Sequence, residues 1–588
     1  MLHLERRLRA VPVLVVGLLL SLLPAGPVQA SPVATEAAVP SAVTAPAATT
    51  NSREAKRVDR VATPKLKWSE VADGSGYSAS VKLPLDYDSP KGAKVKVALF
   101  KIPAADPANR IGTLFLNPGG PGGSGVALAK SATTFLSQDV LDRFDIVGFD
   151  PRGTNSSSQV RCFASSNKQS TALAGMDVAF PTTSAEEKRF LKAAAKEAKA
   201  CSKKGRKLAS AMSTAEVARD LDVLRRAVGD AKLSYLGFSY GTYLGEVYAN
   251  MFPDRFRAMA LDGVVNPTAW AGADATRSTP TTLRIRSAEG SWKALQTGLE
   301  ICAARGFGYC PLSSPKADFD RVATGLRSAG SVLVADGDSV FTYTYSDYIS
   351  AVLGLLYYPG GMEYIAQLTA TVDGVLNPGT TQTLERAGSA LITLVRSYRK
   401  SVQAQSVLTG SYDNELDAYS GVICTDSYEP RDPGTWVSAA NQADASAPYF
   451  GRVWAWSDVQ CATKYWKAKD EDAYRGGFSA VTAAPVLIVG NYYDPATNYD
   501  NAVTTAQLMP NSYLLSSTSW GHTAYGTSDC VTDRIDAYLL AGAEPDETVC
   551  SGDLQPFDTP LESVKSTARS LAKARAGLPP VTQPWAGE

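Results

Sequence analysis

Histidine is nearly missing from this chain: 588 residues hold two, His3 and His522. Imidazole is a common metal ligand and the usual proton-transfer group near neutral pH, so any histidine chemistry has very few places to sit. Net charge is missing as well, with 58 basic residues against 58 acidic ones. A nucleic-acid binder needs a basic surplus or patch to displace counterions, and this balance excludes that class. The eight cysteines contain no C-x-x-C, which argues against structural zinc and thioredoxin-type exchange. After an apolar stretch near the N-terminus there is no second long hydrophobic run, so no stable membrane insertion is expected once that stretch is removed. What remains is a globular composition, 45% hydrophobic and 20% charged. The length suits one large α/β domain with a second module.

The first 30 residues have the layout of a secretory signal: Arg6, Arg7 and Arg9, then the apolar run Val13 to Leu23, then the small-residue site Val28-Gln29-Ala30. A run of about eleven residues is too short to span a bilayer, which favours cleavage over anchoring. The Arg6-Arg7 pair leaves both Sec and Tat export open. Cleavage removes His3 and leaves His522 as the lone imidazole. An even number of cysteines in an exported chain predicts disulfides, and nearest-neighbour pairing gives Cys162–Cys201, Cys302–Cys310, Cys424–Cys461 and Cys530–Cys550.

Residues 31–63 read as a flexible leader or pro-segment, rich in Ala, Pro, Thr and Ser at its start, with order expected from near Lys65. Lys94 to Ile102 reads as an early strand. Short apolar runs bounded by Gly and Pro follow at Thr113–Asn117 and Asp145–Asp150, as buried parallel strands require. Ser213-Thr-Ala-Glu216 has the capping-box pattern, and Val217, Leu221, Leu224 and Val228 have helical spacing. Strands are expected again at Leu233–Leu236, Ala258–Asp262, Pro485–Gly490 and Ser512–Leu515. Between them, residues 268–480 carry aromatic-rich helical stretches. Strand–helix units interrupted in this way imply an α/β fold with a mostly parallel central sheet, built from 64–267 and 481–588, and a large, mainly helical cap inserted at 268–480.

Gly237-Phe238-Ser239-Tyr240-Gly241 is a G-x-S-x-G between a predicted strand and a predicted helix, the context of a nucleophile elbow. A serine hydroxyl needs a base, and His522 is the one available; it follows the last predicted strand in Trp520-Gly521-His522-Thr523. The acid is expected just beyond the preceding strand, where Asp494 stands 28 residues before His522. Asp500 is a weaker competitor further along. The chain order Ser, Asp, His is that of α/β-hydrolases. An oxyanion needs two backbone N–H donors. Tyr240 supplies one, and Asn117-Pro-Gly-Gly-Pro-Gly-Gly-Ser-Gly125 the other, with Gly120 favoured and Gly119 next. No Gly-Lys-Ser/Thr follows that loop, so it is no phosphate loop.

N-P-G-G-P-G-G-S-G, D-I-V-G-F-D-P-R-G, A-R-D-L-D-V-L-R, L-G-F-S-Y-G-T-Y-L-G and the late D-P-A-T…H together resemble the secreted tripeptidyl aminopeptidases, serine exopeptidases related to proline iminopeptidases. The resemblance runs from about Pro64 to Gly552 and is weakest through the cap. It implies Ser239 as nucleophile, Asp494 as acid and His522 as base, peptide substrates with a free N-terminus, and a cap whose carboxylates hold the substrate ammonium. Gly421-Val-Ile-Cys-Thr-Asp426 looks like a family segment and makes Asp426 the candidate substrate-binding anchor. The chain departs from the family near Trp68 to Val81, where a cysteine is common and none stands here.

The expected activity is therefore that of a secreted serine peptidase releasing short peptides, tripeptides by resemblance, with no cofactor or metal. The alternatives are an esterase or amidase on the same machinery and a non-catalytic surface-binding protein. Oligomeric state is not readable from the sequence.

Overall fold

A computed structural model describes residues 48–336, 339–403, 412–546 and 548–561. The expected signal at 1–30, the leader up to residue 47 and the last part of the C-terminal core segment, 562–588, lie outside the described residues.

Ten strands form one sheet in the order β1-β2-β3-β5-β4-β6-β7-β10-β11-β12. Their ranges are β1 Ser69–Glu70, β2 Tyr77–Pro84, β3 Lys94–Ile102, β4 Gly112–Asn117, β5 Phe144–Asp150, β6 Leu233–Phe238, β7 Phe256–Asp262, β10 Val486–Tyr493, β11 Ser512–Trp520 and β12 Val549–Cys550. The pairs from β1 to β3, and β3 with β5, are antiparallel; every pair from β5 through β4 to β12 is parallel. All residues of β4 and β6 are buried, because helices cover both faces, and a near-continuous apolar run is what such strands need. The C-terminal ends of β4, β6, β7, β10 and β11 therefore open on the same edge, where an open parallel sheet places its ligands.

β7 and β10 are direct neighbours, with Val489 opposite Asp262, although more than two hundred residues separate them in sequence. The helical stretch between them includes Ser287–Arg305 and Tyr345–Leu356 and builds a core of its own around Leu295, Phe319, Tyr348, Ile365, Trp436 and Trp456. It also holds a two-stranded antiparallel hairpin, β8 Ser331–Asp336 with β9 Ser339–Thr344, which helical periodicity gave no sign of. The four disulfides join the nearest neighbours in sequence, as expected. No helix among the described residues is long and apolar enough to cross a membrane.

The leader reading needs correction at its C-terminal end. Ser52–Asp59 is a helix, here α1, started by Asn51, whose side chain accepts the Arg53 N–H at 2.8 Å. It docks through charge rather than an apolar stripe. Arg57 is 4% exposed and makes two parallel bonds to Asp88, both 2.7 Å, while Glu54 accepts from Arg219 Nε at 2.8 Å. Val58 is its one fully buried apolar side chain. Arg219 belongs to α2, Thr214–Ala227, whose Glu216 and Asp220 hold the buried Arg152 at 2.7 Å each. The N-terminal arm thus joins a buried ionic network on the core.

Candidate active site

Ser239 sits between β6 and helix α3, Tyr240–Met251, with φ 56° and ψ −130°. A non-glycine residue in that region is strained and persists only where its surroundings fix it. Here Ser239 N–H donates to Asp262 O at 3.0 Å, and the Thr242 hydroxyl donates to Ser239 O at 2.7 Å. The flanking glycines are demanded by crowding. A Cβ at Gly237 would lie 2.5 Å from Tyr235 Cε1, and one at Gly241 would lie 2.8 Å from Asn117 O. The serine is half-buried.

Asp494 and His522 meet over the end of β10. His522 Nδ1 lies 2.8 Å from Asp494 Oδ2 and 3.0 Å from Oδ1, with both residues buried. The carboxylate is pinned from behind. Ala496 N–H and Thr497 N–H donate to Oδ1 at 2.8 Å each, the Thr497 hydroxyl donates to Oδ2 at 3.0 Å, and Thr523 N–H reaches Oδ2 at 3.3 Å. The histidine loop is also held. Asn491 Nδ2 donates to Gly521 O and Thr523 O, and His522 N–H donates to Tyr357 O of the cap at 3.0 Å. The Tyr357 ring meets the imidazole edge-on with 5.1 Å between centroids. Ser239 is brought beside this pair through β7. The residue after Asp262 is Gly263, and a Cβ there would be 3.1 Å from His522 Cε1. The Ser239 hydroxyl forms no hydrogen bond to the imidazole here; such catalytic bonds are often long until substrate binds.

Among the described residues, neither Gly120 N–H nor Tyr240 N–H has a hydrogen-bond acceptor, whereas Gly119 N–H is taken by Asn117 Oδ1 at 2.9 Å. That distinguishes Gly120 from Gly119 as a candidate donor. The glycine loop lies directly against the elbow, since a Cβ at Gly119 would stand 2.8 Å from Tyr240 N. Two N–H groups without acceptors thus stand beside a half-buried hydroxyl, and such groups can donate to an oxygen that gains negative charge.

Asp426, expected to hold a substrate amine, is instead consumed by the protein. Its carboxylate accepts Thr214 N–H at 2.7 Å, the Thr214 hydroxyl at 2.6 Å and Trp270 Nε1–H at 3.3 Å, and it is 1% exposed. Thr214 in turn shares a short hydrogen bond with the Tyr240 hydroxyl. Asp426 therefore ties helix α4, Glu415–Asp426, to the residue after the serine. Burial pushes its carboxyl up to about 6. Asp500, the competitor acid, is exposed and paired with Arg286 at 2.7 Å.

A different cap carboxyl, Glu429, has spare capacity; Asp458 and Arg284 are its charged neighbours. Glu429 is buried and accepts from the Thr281 hydroxyl, but its Oε2 has no partner. Burial, then the neighbouring Asp458, raises it well above the usual carboxylate range. Asp458 accepts from Trp436 Nε1 at 2.7 Å. Tyr419 lies between this pair and the glycine loop: its hydroxyl feels the charge of both, and its backbone N would be 3.3 Å from a Cβ at Gly122. Sequence reasoning missed Asp262, Asn491, Thr497, Glu429 and Asp458. Their partners lie in distant segments, and only the positions of Asp262 and Asn491 on strands next to the predicted acid strand could have marked them.

Comparison with known proteins follows the same division of the chain. Residues 112–278 match the family profile described as alpha/beta hydrolase fold, and residues 447–550 match the one described as TAP-like protein. The chain is 30% identical over 470 residues to the tripeptidyl aminopeptidase of Streptomyces lividans, covering 79% of this chain and 81% of the relative. It is 29% identical over 488 residues to the serine protease Hip1 of Mycobacterium tuberculosis, covering 80% and 86%. It is also 29% identical over 500 residues to a protein from M. tuberculosis named carboxylesterase B, covering 82% and 89%.

Proposed function

Because this chain belongs to the tripeptidyl aminopeptidase family of α/β-hydrolases, we propose that it is a secreted serine exopeptidase that releases short peptides, tripeptides among them, from free N-termini. The observation that carries the reading is the Asp494–His522 pair set beside the strained Ser239 and two unengaged amides. In the proposed cycle His522 Nε2 takes the Ser239 proton as the oxygen attacks the scissile carbonyl. Asp494 holds the proton on Nδ1 and stabilises the imidazolium. The Gly120 and Tyr240 amides receive the tetrahedral oxygen. The imidazolium then protonates the leaving amine, and water repeats the sequence on the acyl-enzyme.

The demand for a free amine is supported by Glu429, whose Oε2 accepts no hydrogen bond and suits an ammonium better than a neutral blocked terminus. Secretion is supported by the signal-like first 30 residues and by four disulfides. The relative named carboxylesterase B favours a second reading, ester hydrolysis on the same machinery.

The deciding experiment is a panel of chromogenic peptides of one to four residues, each with a free and a blocked N-terminus. Exopeptidase action predicts turnover that vanishes on blocking and peaks at one length. Equal turnover of blocked esters with no peptide cleavage would refute it. A serine-directed phosphonate should label the protein stoichiometrically and fail with Ser239→Ala; absence of labelling would leave only a binding role.

A further inference from the structure

One residue bridges the candidate nucleophile and the candidate base from below. Asp262 ends β7, is fully buried, and accepts Ser239 N–H on its backbone oxygen at 3.0 Å. Its carboxylate faces the other way, into the loop that carries His522. Ala524 N–H donates to Oδ1 at 2.9 Å and to Oδ2 at 3.0 Å, and Tyr525 N–H donates to Oδ2 at 2.8 Å. Among the described residues no lysine or arginine pairs with it. The charged groups it faces are His522 and Asp494. A buried acid with no basic partner is costly unless something uses its charge. Two backbone N–H donors meet only part of its capacity, and burial lifts it to about 6. Near neutral pH it is anionic for most of the time, with a single imidazole within its field.

We propose that Asp262 is a positioning residue for the reaction, fixing the His522 loop relative to Ser239 and supplying a second negative charge, beside that of Asp494, to the imidazolium that forms during acyl transfer. The proposal rests on the serine hydrolase reading above. The two roles separate by substitution. Asp262→Asn keeps the shape and can still accept the Ala524 and Tyr525 amides through its oxygen, but loses the charge. Asp262→Ser loses the charge and loosens the loop.

The test is kcat/KM against pH for wild type, Asp262→Asn and Asp262→Ser on the best free-amine peptide, with ¹⁵N-histidine NMR of His522. Processed chain carries no other histidine, so the spectrum reports one site. Loss of a nearby anion lowers the imidazole's affinity for a proton. The acid limb and the NMR titration should therefore both move to lower pH by roughly half a unit to one unit. Rate should fall about ten- to a hundredfold, more for Ser than for Asn. A purely structural acid would change stability without moving the titration. Wild-type rates with an unmoved limb in either folded variant would overturn the proposal. So would failure of both variants to fold where Asp494→Asn folds, since Asp262 would then serve folding alone. Ser239→Ala, run alongside, separates the two levels: if it retains activity the hydrolase reading fails, and if it is dead while Asp262→Asn is normal only the present inference fails.

Discussion

Replacing Asp494 by Asn probes the proposed mechanism most sharply, because the surrounding donors dictate how the amide must sit. Oδ1 receives two backbone N–H groups, from Ala496 and Thr497, at 2.8 Å each. Oδ2 faces His522 Nδ1 at 2.8 Å. An asparagine that kept its oxygen on the two amides would turn its NH2 toward the imidazole. Nδ1 would then have to accept, the ring proton would move to Nε2, and Nε2 could no longer take a proton from Ser239. Flipping the amide would restore the tautomer but strand two buried N–H donors against an NH2, at a cost of about 1–3 kcal/mol each. The unproductive form strands one weaker donor, the Thr523 N–H at 3.3 Å, and is favoured by the difference. The imidazolium also loses its main counter-charge. In other Ser-His-Asp enzymes this exchange lowers kcat by about 10⁴, which is about 5 kcal/mol of transition-state stabilisation. The assay is steady-state hydrolysis of a free-amine chromogenic peptide, with circular dichroism to establish folding and ¹⁵N-histidine NMR to read the tautomer. A folded Asp494→Asn enzyme within tenfold of wild type, or one whose ring proton stays on Nδ1, would refute the reasoning.

Glu429→Gln should raise KM for free-amine peptides about tenfold or more, roughly 1.4 kcal/mol of ammonium binding, while leaving N-blocked ester hydrolysis unchanged; equal effects on both substrates would remove Glu429 from amine recognition. Gly237→Ala should destabilise the fold by about 1–3 kcal/mol as its Cβ is driven onto Tyr235, read as a lower Tm, and an unchanged Tm would contradict the crowding at the elbow. Acid should release the N-terminal arm first. Asp59 is held low by Arg255 and Asp88 by Arg57, and Glu54 is held low by Arg219 and Arg57 against the opposing effect of burial. Depressed carboxyls contribute stability that is present above their unfolded values, about 4, and is lost as pH falls through the folded ones. Pepsin at about pH 3 should therefore cut within residues 48–63 before the rest of the described chain, and initial cleavage elsewhere would count against this.

The parallel strands and the elbow were legible because their cues are local: an apolar run ended by glycine, and a G-x-S-x-G in the gap between strand and helix. The choice of His522 was forced by scarcity rather than by pattern. Helix α1 was not legible, since its surface is charged and its stability comes from arginines that meet Asp88 and Glu54 only after folding. Asp426 misled for a related reason. A carboxylate near the right loop looks free in a sequence, and only the folded chain shows Thr214 and Trp270 already occupying it. Asp262 is the converse case: it reads as the unremarked last letter of a strand until β10 and the histidine loop close over it.

The insertion between β7 and β10 leaves and re-enters the sheet at strands one spacing apart, with Leu261 opposite Ile488. A segment whose two ends are adjacent can be exchanged for a homologous one without shifting the register of any strand in the platform below. Grafting the stretch between Asp262 and Val486 out of a relative with another diet should carry its taste in substrates along. Such surgery would have to keep the contacts that tie roof to platform: the Tyr357 carbonyl on the His522 amide, and the Ser287 and Ser291 hydroxyls on the carbonyls of Ala496 and Pro495.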